Sequence, residues 1–180
     1  MSTTALSSWL AHRPRRGATQ IDTVVLHATG TDDVEQYLHD LRTSNLSYHY
    51  LVLKSGEVQK CVPYSAVAFH AGNSWGPHEE KRGIAHEQDS HGHFVELTSV
   101  NEYSIGVCLE NLNDGTDWYP KEQVDSCVQL LCDLKEMVPK LQYLTTHALV
   151  APGQQTDPAG FETAKIAKKA GLEYWQPAYL

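Results

Sequence analysis

Two short apolar runs in this chain each end in a histidine. One is Val24-Val25-Leu26-His27 and the other is Tyr143-Leu144-Thr145-Thr146-His147. Runs this short and this rich in β-branched residues read as buried strands, so each histidine falls at a strand end. Asp157 follows ten residues after the second histidine, in the loop Ala151-Pro152-Gly153-Gln154-Gln155-Thr156-Asp157-Pro158. Two histidines and one carboxylate, held at strand ends or in loops, are the ligand set of a catalytic zinc with one position left open. Neutral imidazole and carboxylate suit that ion. Zinc lowers the pKa of a water to about 7, which makes hydroxide available at neutral pH. The chain holds ten histidines, so two near strand ends also have a purely structural reading. It has no HExxH element to favour the metal. Spacing alone leaves both readings open.

The rest of the pattern places these residues in a mixed α/β domain. Ile21–His27 reads as a buried strand, stopped by Thr29-Gly30-Thr31. Asp32 or Asp33 caps a helix reaching about Leu41, with Val34, Tyr37, Leu38 and Leu41 on one face. Tyr48–Leu53 and Glu57–Val62 pair as a hairpin around Lys54-Ser55-Gly56. Ala66–Phe69 is a short strand and Tyr103–Leu109 a longer one. Pro120 opens a helix on which Val124, Val128, Leu131, Leu134 and Val138 recur every three to four residues. Tyr143–Thr146 is a strand, and Phe161–Ala170 a last helix closed by Gly171. Strands, helices and a hairpin interleave, so the expected sheet is mixed rather than all parallel. One domain over 21–180 follows an N-terminal extension at 1–20. Residues 73–101 are polar and aperiodic, and stand out as an insertion of the functional or mobile kind.

At 180 residues the chain suffices for one domain with a real core. Its net charge of −8 argues against nucleic acid, which needs clustered Lys and Arg, and against an anionic membrane surface. No apolar run approaches the roughly 18 residues of a membrane span. Arg13, Arg15 and Arg16 follow the weak apolar stretch near the N-terminus rather than precede it, which is the wrong order for a secretory signal. A cytoplasmic monomer is the expectation. Cys61, Cys108, Cys127 and Cys132 fit no zinc ribbon or disulfide framework and read as reduced thiols.

The stretches around the two histidines carry more. Val24-Val25-Leu26-His27 is followed by Ser47-Tyr48-His49-Tyr50, Ser55-Gly56-Glu57 and Phe69-His70-Ala71-Gly72. Then come Asn101-Glu102-Tyr103-Ser104-Ile105-Gly106-Val107, His147-Ala148-Leu149-Val150-Ala151-Pro152-Gly153 and Thr156-Asp157-Pro158. In this order they resemble the zinc-dependent N-acetylmuramoyl-L-alanine amidases. That family includes cell-wall-recycling amidases, phage amidase lysozymes and peptidoglycan-recognition proteins. The resemblance covers most of residues 21–162. It implies a central mixed sheet flanked by helices, a groove holding one zinc ion, and hydrolysis of the amide between N-acetylmuramic acid (or its anhydro form) and L-alanine. The implied partner is peptidoglycan or a muropeptide. His27, His147 and Asp157 map onto the zinc ligands, and the carboxylate ligand matches the recycling type.

The surrounding positions mix two subfamilies. Where recycling amidases place a glutamate after Ser-Ile-Gly, this chain has Cys108, as phage lysozymes do. The tyrosine those lysozymes use in the strand before the hairpin matches Tyr48. A lysine common two residues before the third ligand is here Gln155, which can donate a hydrogen bond but brings no charge. Tyr48 is thus the expected orienting or oxyanion-stabilising group and Gln155 a weaker helper. Glu110 shares the strand face of Cys108, about 7 Å further along, and is an acid–base candidate or a capping carboxylate. His70 borders the groove in the family, where substrate contact and a structural bond are both open. Trp75 either stacks on a sugar or fastens its loop. His49 is expected to be structural. His78, His86, His91 and His93 lie in the insertion at irregular spacing and read as a solvated lid rather than a second metal site. Gln155 and Cys108 also allow a muropeptide-binding module with little or no hydrolysis, and the insertion allows a different amide substrate.

Overall fold

The structure, a computed structural model, describes residues 10–15, 20–96 and 98–178. Its centre is a six-stranded mixed sheet. In chain order the strands are β1 (His12–Pro14), β2 (Thr23–Ala28), β3 (Tyr50–Val52), β4 (Val58–Lys60), β5 (Ala66–Ala68), β6 (Ser104–Leu109), β7 (Tyr143–Thr146) and β8 (Glu173–Tyr174). The helices are α1 (Val34–Thr43), α2 (Pro77–Lys81), α3 (Lys121–Met137), α4 (His147–Val150) and α5 (Thr163–Ala170). The sheet runs β4-β3-β6-β2-β7-β8, and β1 pairs separately with β5. β3, β6, β2, β7 and β8 are parallel, while the hairpin strand β4 runs antiparallel to β3. The mixed sheet expected from the interleaved pattern is therefore the one observed.

β2 and β6 lie in the middle and are covered on both faces, which is why they read as near-continuous apolar runs rather than alternating ones. One face carries Val24, Leu26, Ile105, Val107, Leu109 and Leu144 against Cys127, Leu131 and Leu134 of α3 and Ile166, Ala167 and Ala170 of α5. The other face carries two smaller apolar groups. Val25 packs with Trp75, Phe94, Val100, Tyr103, Tyr143, Val150 and Trp175. Leu51, Tyr48 and Cys108 pack with Leu41 of α1 and with Leu10.

Local signals set most boundaries. Asp33 caps α1, its carboxylate accepting the Gln36 backbone N–H at 3.0 Å. Gly171 takes the left-handed conformation after α5, at φ 66°. In α3 the buried face is turned slightly from the one expected: Cys127, Leu130, Leu131 and Leu134 are buried, with Val124 and Val128 at its margin. The reason is Gln123, which is completely buried and donates its amide to the carbonyls of Val52 (3.0 Å) and Glu110 (2.9 Å). A polar side chain satisfying two strand-end carbonyls is invisible to an apolar-periodicity argument.

The insertion differs from its sequence reading. Residues 73–96 and 98–101 hold α2, an antiparallel bridge between Gln88 and Phe94, and the start of a 3-10 turn at Val100–Glu102. Trp75 (4% exposed), Phe94 and Val100 fill the second apolar group. Trp75 Nε1 donates to the Ile84 carbonyl at 3.0 Å, and Trp175 Nε1 to Glu80 at 2.9 Å. Gln88 reaches the Pro152 carbonyl (2.9 Å) and Gln154 the Gly92 carbonyl (2.6 Å), strapping the segment to the loop before Asp157. Of the two readings of Trp75, loop fastening is the one the packing supports; a ring this buried offers no face to a sugar.

The described part of the N-terminal extension also belongs to the domain. β1 lies on β5, and Arg15 donates to the carbonyls of Tyr64, Asn101, Glu102 and Ser104, at 2.5 to 3.2 Å. Arg16 lies outside the described residues. The four cysteines are unpaired. No helix among the described residues is long and apolar enough to cross a membrane.

The burial of Trp75 gives a test. Trp75→Ala is expected to lower unfolding stability by about 3–5 kcal/mol, as for other buried large-to-small changes. Urea unfolding measures it, and a loss under about 1 kcal/mol would show the ring to be dispensable to the core.

Candidate metal centre

Strand register brings the two histidines together. In the parallel ladder Leu26 stands opposite Thr146, so the next residues, His27 and His147, emerge level with each other at the C-terminal edge of the sheet. His147 starts the one-turn helix α4 at that point. Their ring centroids lie 4.4 Å apart. Asp157 is carried in by the loop after α4. Its carbonyl accepts the Ala148 N–H at 3.0 Å, and its Oδ2 accepts the Ala28 N–H at 3.2 Å, which ties the carboxylate to the end of β2.

The result is a three-residue cluster whose ligand atoms all lie within 4.8 Å of one another. Asp157 Oδ1 is 3.0 Å from His147 Nδ1, and Asp157 Oδ2 is 3.4 Å from His27 Nδ1. His27 is fully buried, yet its Nδ1 makes no hydrogen bond of acceptable geometry. A buried, unpaired ring nitrogen costs free energy unless something binds it. Aimed at a carboxylate and a second imidazole, that nitrogen fits a metal ion. It is the only group of three or more His, Cys, Asp or Glu residues with this geometry among the described residues. The histidines of the insertion form no second one: His78 bonds Asp22 at 2.7 Å and lies flat on Tyr103, while His86 packs between Trp75 and Phe94.

The electrostatics suit metal ligation. Burial pushes the His27 imidazole down to about 4, and the neighbouring His147 adds to this, so the ring is neutral at pH 7. Burial alone would raise the Asp157 carboxyl, but the imidazoles of His147 and His27 outweigh it and hold it well below the usual carboxylate range. The site thus presents a neutral imidazole at His27 and one anionic carboxylate at Asp157.

A shell of other residues surrounds it. The Tyr48 ring meets His27 edge-on at 5.0 Å between centroids. Burial, with Cys108 nearby, holds its phenol well above its usual pKa, so it stays protonated. Tyr48 reaches this face because the chain kinks at His49: Tyr48 packs with Leu51 and Cys108, whereas Tyr50 faces α3. His49 is structural, its Nδ1 accepting the Gly106 N–H at 2.9 Å and its Nε2 donating to the Ala66 carbonyl at 3.2 Å. Tyr37 stacks on Tyr48 at 6.5 Å, with its hydroxyl 3.7 Å from Cys108 Sγ. The sequence reading gave Tyr37 only a core role, because its spacing on α1 matches ordinary packing.

Three other candidates are engaged elsewhere, exposed, or closed to substrate. Glu110 accepts the Lys54 backbone N–H at 2.8 Å and so caps the β3–β4 turn. Gln155 is exposed, tied by its backbone N–H to the Ala151 carbonyl at 3.0 Å. His70 is 1% exposed, which closes it to substrate contact; its Nδ1 lies 3.0 Å from His27 Nε2.

Comparison with known proteins identifies the family and the fold. Residues 17–160 match the family model of N-acetylmuramoyl-L-alanine amidase, and the chain belongs to that family. A curated relative, the 1,6-anhydro-N-acetylmuramyl-L-alanine amidase AmpD of Escherichia coli (strain K12), is 27% identical over 144 residues, which is 77% of this chain and 67% of the relative. The fold superimposes on the crystal structure of an AmpD selenomethionine derivative with a TM-score of 0.63 at 20% identity, covering 94% of this chain and 99% of that one. It also superimposes on the amidase LysC from Clostridium intestinale URNW, with a TM-score of 0.59 at 21% identity, covering 86% and 87%. The chain is a hydrolase of cell-wall breakdown, an N-acetylmuramoyl-L-alanine amidase.

Three buried neutral histidines make metal-free stability depend on pH. His49 is pushed down to about 3 and His27 to about 4, both chiefly by burial, and His70 also falls well below its usual value. A depressed folded-state pKa gives stability that is present above the unfolded value, near 6.5, and lost as pH falls through the folded one. Unfolding stability of the metal-free protein is expected to drop between pH 7 and pH 5, by roughly 1 kcal/mol per pH unit for each such ring. Denaturant titrations at both pH values measure this; equal stabilities would show that the rings are solvated.

Proposed function

We propose that this amidase is zinc-dependent, with His27, His147 and Asp157 as the ligands, and that it acts on soluble muropeptides, the anhydro form included. The observation that carries the reading is the buried, unpaired Nδ1 of His27, aimed into a cluster with His147 and Asp157 at the sheet edge. When bound there, zinc supplies a Lewis acid for the scissile carbonyl and lowers the pKa of water. Two neutral imidazoles and one carboxylate leave that ion a net positive charge, which favours this chemistry.

The chain's own groups do the rest. Tyr48 keeps its proton, so it serves as a donor to oxygen rather than as a base. In this reading its hydroxyl orients water or stabilises the oxyanion that develops as the amide carbon becomes tetrahedral. Gln155, exposed two residues before Asp157, is a weaker, uncharged donor in this reading. Glu110 holds the hairpin turn, and the chemistry does not depend on it. Similarity to an anhydro-muramyl amidase and a net charge of −8 favour small soluble substrates over an anionic wall polymer. Both favour a cytoplasmic enzyme in this reading, and the four unpaired cysteines suit that compartment.

The test is direct. Zinc-loaded protein incubated with defined muropeptides, anhydro and reducing-end, is expected to release the stem peptide, followed by mass spectrometry, with the anhydro form preferred. Binding without release would replace this reading with a recognition module. His147→Ala is expected to lose stoichiometric zinc, and full occupancy by metal analysis in that variant would refute the ligand set. Tyr48→Phe is expected to keep zinc and lose about 10²-fold in kcat, the scale of a lost oxyanion donor. A kcat within threefold of the native value would remove Tyr48 from the reaction.

A further inference from the structure

A second line of polar atoms runs away from the cluster into the interior. His27 Nε2 lies 3.0 Å from His70 Nδ1, and His70 Nε2 lies 3.2 Å from Ser104 Oγ. His27, His70 and Ser104 are all essentially closed to solvent. The backbone on both sides of the His70 ring is fixed. Asn101 Oδ1 accepts the N–H groups of His70 (3.2 Å) and Ala71 (2.9 Å). Gly106 gives the ring its room: a Cβ there would stand 2.5 Å from His70 Cγ. Interior space and several hydrogen bonds are thus committed to a ring that reaches neither substrate nor the metal-facing atoms.

We propose that His70 and Ser104 are positioning residues that fix the tautomer of His27, so that its Nδ1 lone pair faces the metal. The inference rests on the zinc reading above. A neutral imidazole carries one proton. For Nδ1 to bind a metal, that proton must sit on Nε2, where it donates to His70 Nδ1. His70 Nδ1 is then an acceptor, so the His70 proton sits on its own Nε2 and donates to Ser104 Oγ. A hydroxyl accepts and donates equally well, so the chain ends on a group that costs nothing to orient. Without an acceptor at His70, the His27 proton is free to move to Nδ1, where Asp157 Oδ2 at 3.4 Å attracts it and competes with the metal. Outer partners of this kind are worth about 10–100-fold in metal affinity.

The experiment measures zinc dissociation constants by competition with a chromophoric chelator, together with ring-nitrogen 15N–1H correlation spectra of the zinc-loaded native protein. His70→Leu removes the acceptor and keeps the volume apolar. His70→Asn keeps an acceptor where Nδ1 stood. Expected are affinities lowered about 10–100-fold in His70→Leu and largely recovered in His70→Asn. Packing alone predicts the reverse order, since Leu suits a buried site better than Asn. The spectra are expected to show protons on Nε2 of both His27 and His70. Should His70→Leu not fold, Ser104→Ala and the native spectra carry the test, with a smaller affinity loss expected in Ser104→Ala. Native affinity in His70→Leu, tighter binding by His70→Leu than by His70→Asn, or a proton on His27 Nδ1 in the loaded protein overturns the proposal. Zinc binding that depends on His70 without muropeptide cleavage would sink the proposed activity and leave this inference standing. A native protein with no stoichiometric zinc would overturn both.

Discussion

The parallel register between β2 and β7 is the constraint on which the site depends. Leu26 faces Thr146, and the sheet is covered on both faces there, so a slip of one residue would turn Val24 and Leu26 out of the α3–α5 core and His27 into it. Apolar packing of Val24, Leu26, Ile105, Val107 and Leu144 therefore holds His27 and His147 level. The cost of moving either histidine is the cost of dismantling the main core. A site built this way needs little rigidity from its own loops.

Asp157, the third residue of the cluster, is the one a loop must deliver, and the structure secures it from two directions. The Asp157 backbone carbonyl and one carboxylate oxygen bond α4 and the end of β2, so position and orientation are set together. The preceding loop is strapped to the insertion through Gln88, Pro152, Gln154 and Gly92. The insertion is in turn held by Trp75, Phe94 and Trp175 against Val25 on the same sheet face. A segment that looked like a polar lid thus backs the carboxylate loop, which explains its aromatic content better than a solvated role would.

This separates what could be read from the sequence from what could not. The strands ending at His27 and His147, the cap at Asp33, the hairpin turn and the last helix all obey local rules of period, cap and turn, and they appear where those rules place them. The cluster of His27, His147 and Asp157 was visible because each member sits beside such a local signal. Elements fixed by tertiary contacts were not visible. β1 is three residues ending in proline, β8 is two residues, and α2 lies in a polar stretch held by three scattered aromatic rings. The burial of Gln123, and the closed positions of His70 and Trp75, likewise follow from neighbours distant in sequence.

The second sheet face tolerates its buried imidazoles because their nitrogens are almost all partnered. Burying three imidazoles is costly unless each ring nitrogen has a partner. His49 spends both nitrogens on backbone groups of β6 and of the strand edge at Ala66. His70 spends both on His27 and Ser104, and Gly106 gives it the space. Of these ring nitrogens only His27 Nδ1 is left over, and it is the atom directed at Asp157 and His147. Among the three buried rings every nitrogen but one is closed, and that one is where the trio meets. A fold that had merely accumulated buried histidines would leave its unsatisfied atoms scattered, whereas this one concentrates the deficit of its histidine layer at a single nitrogen inside an anionic cluster.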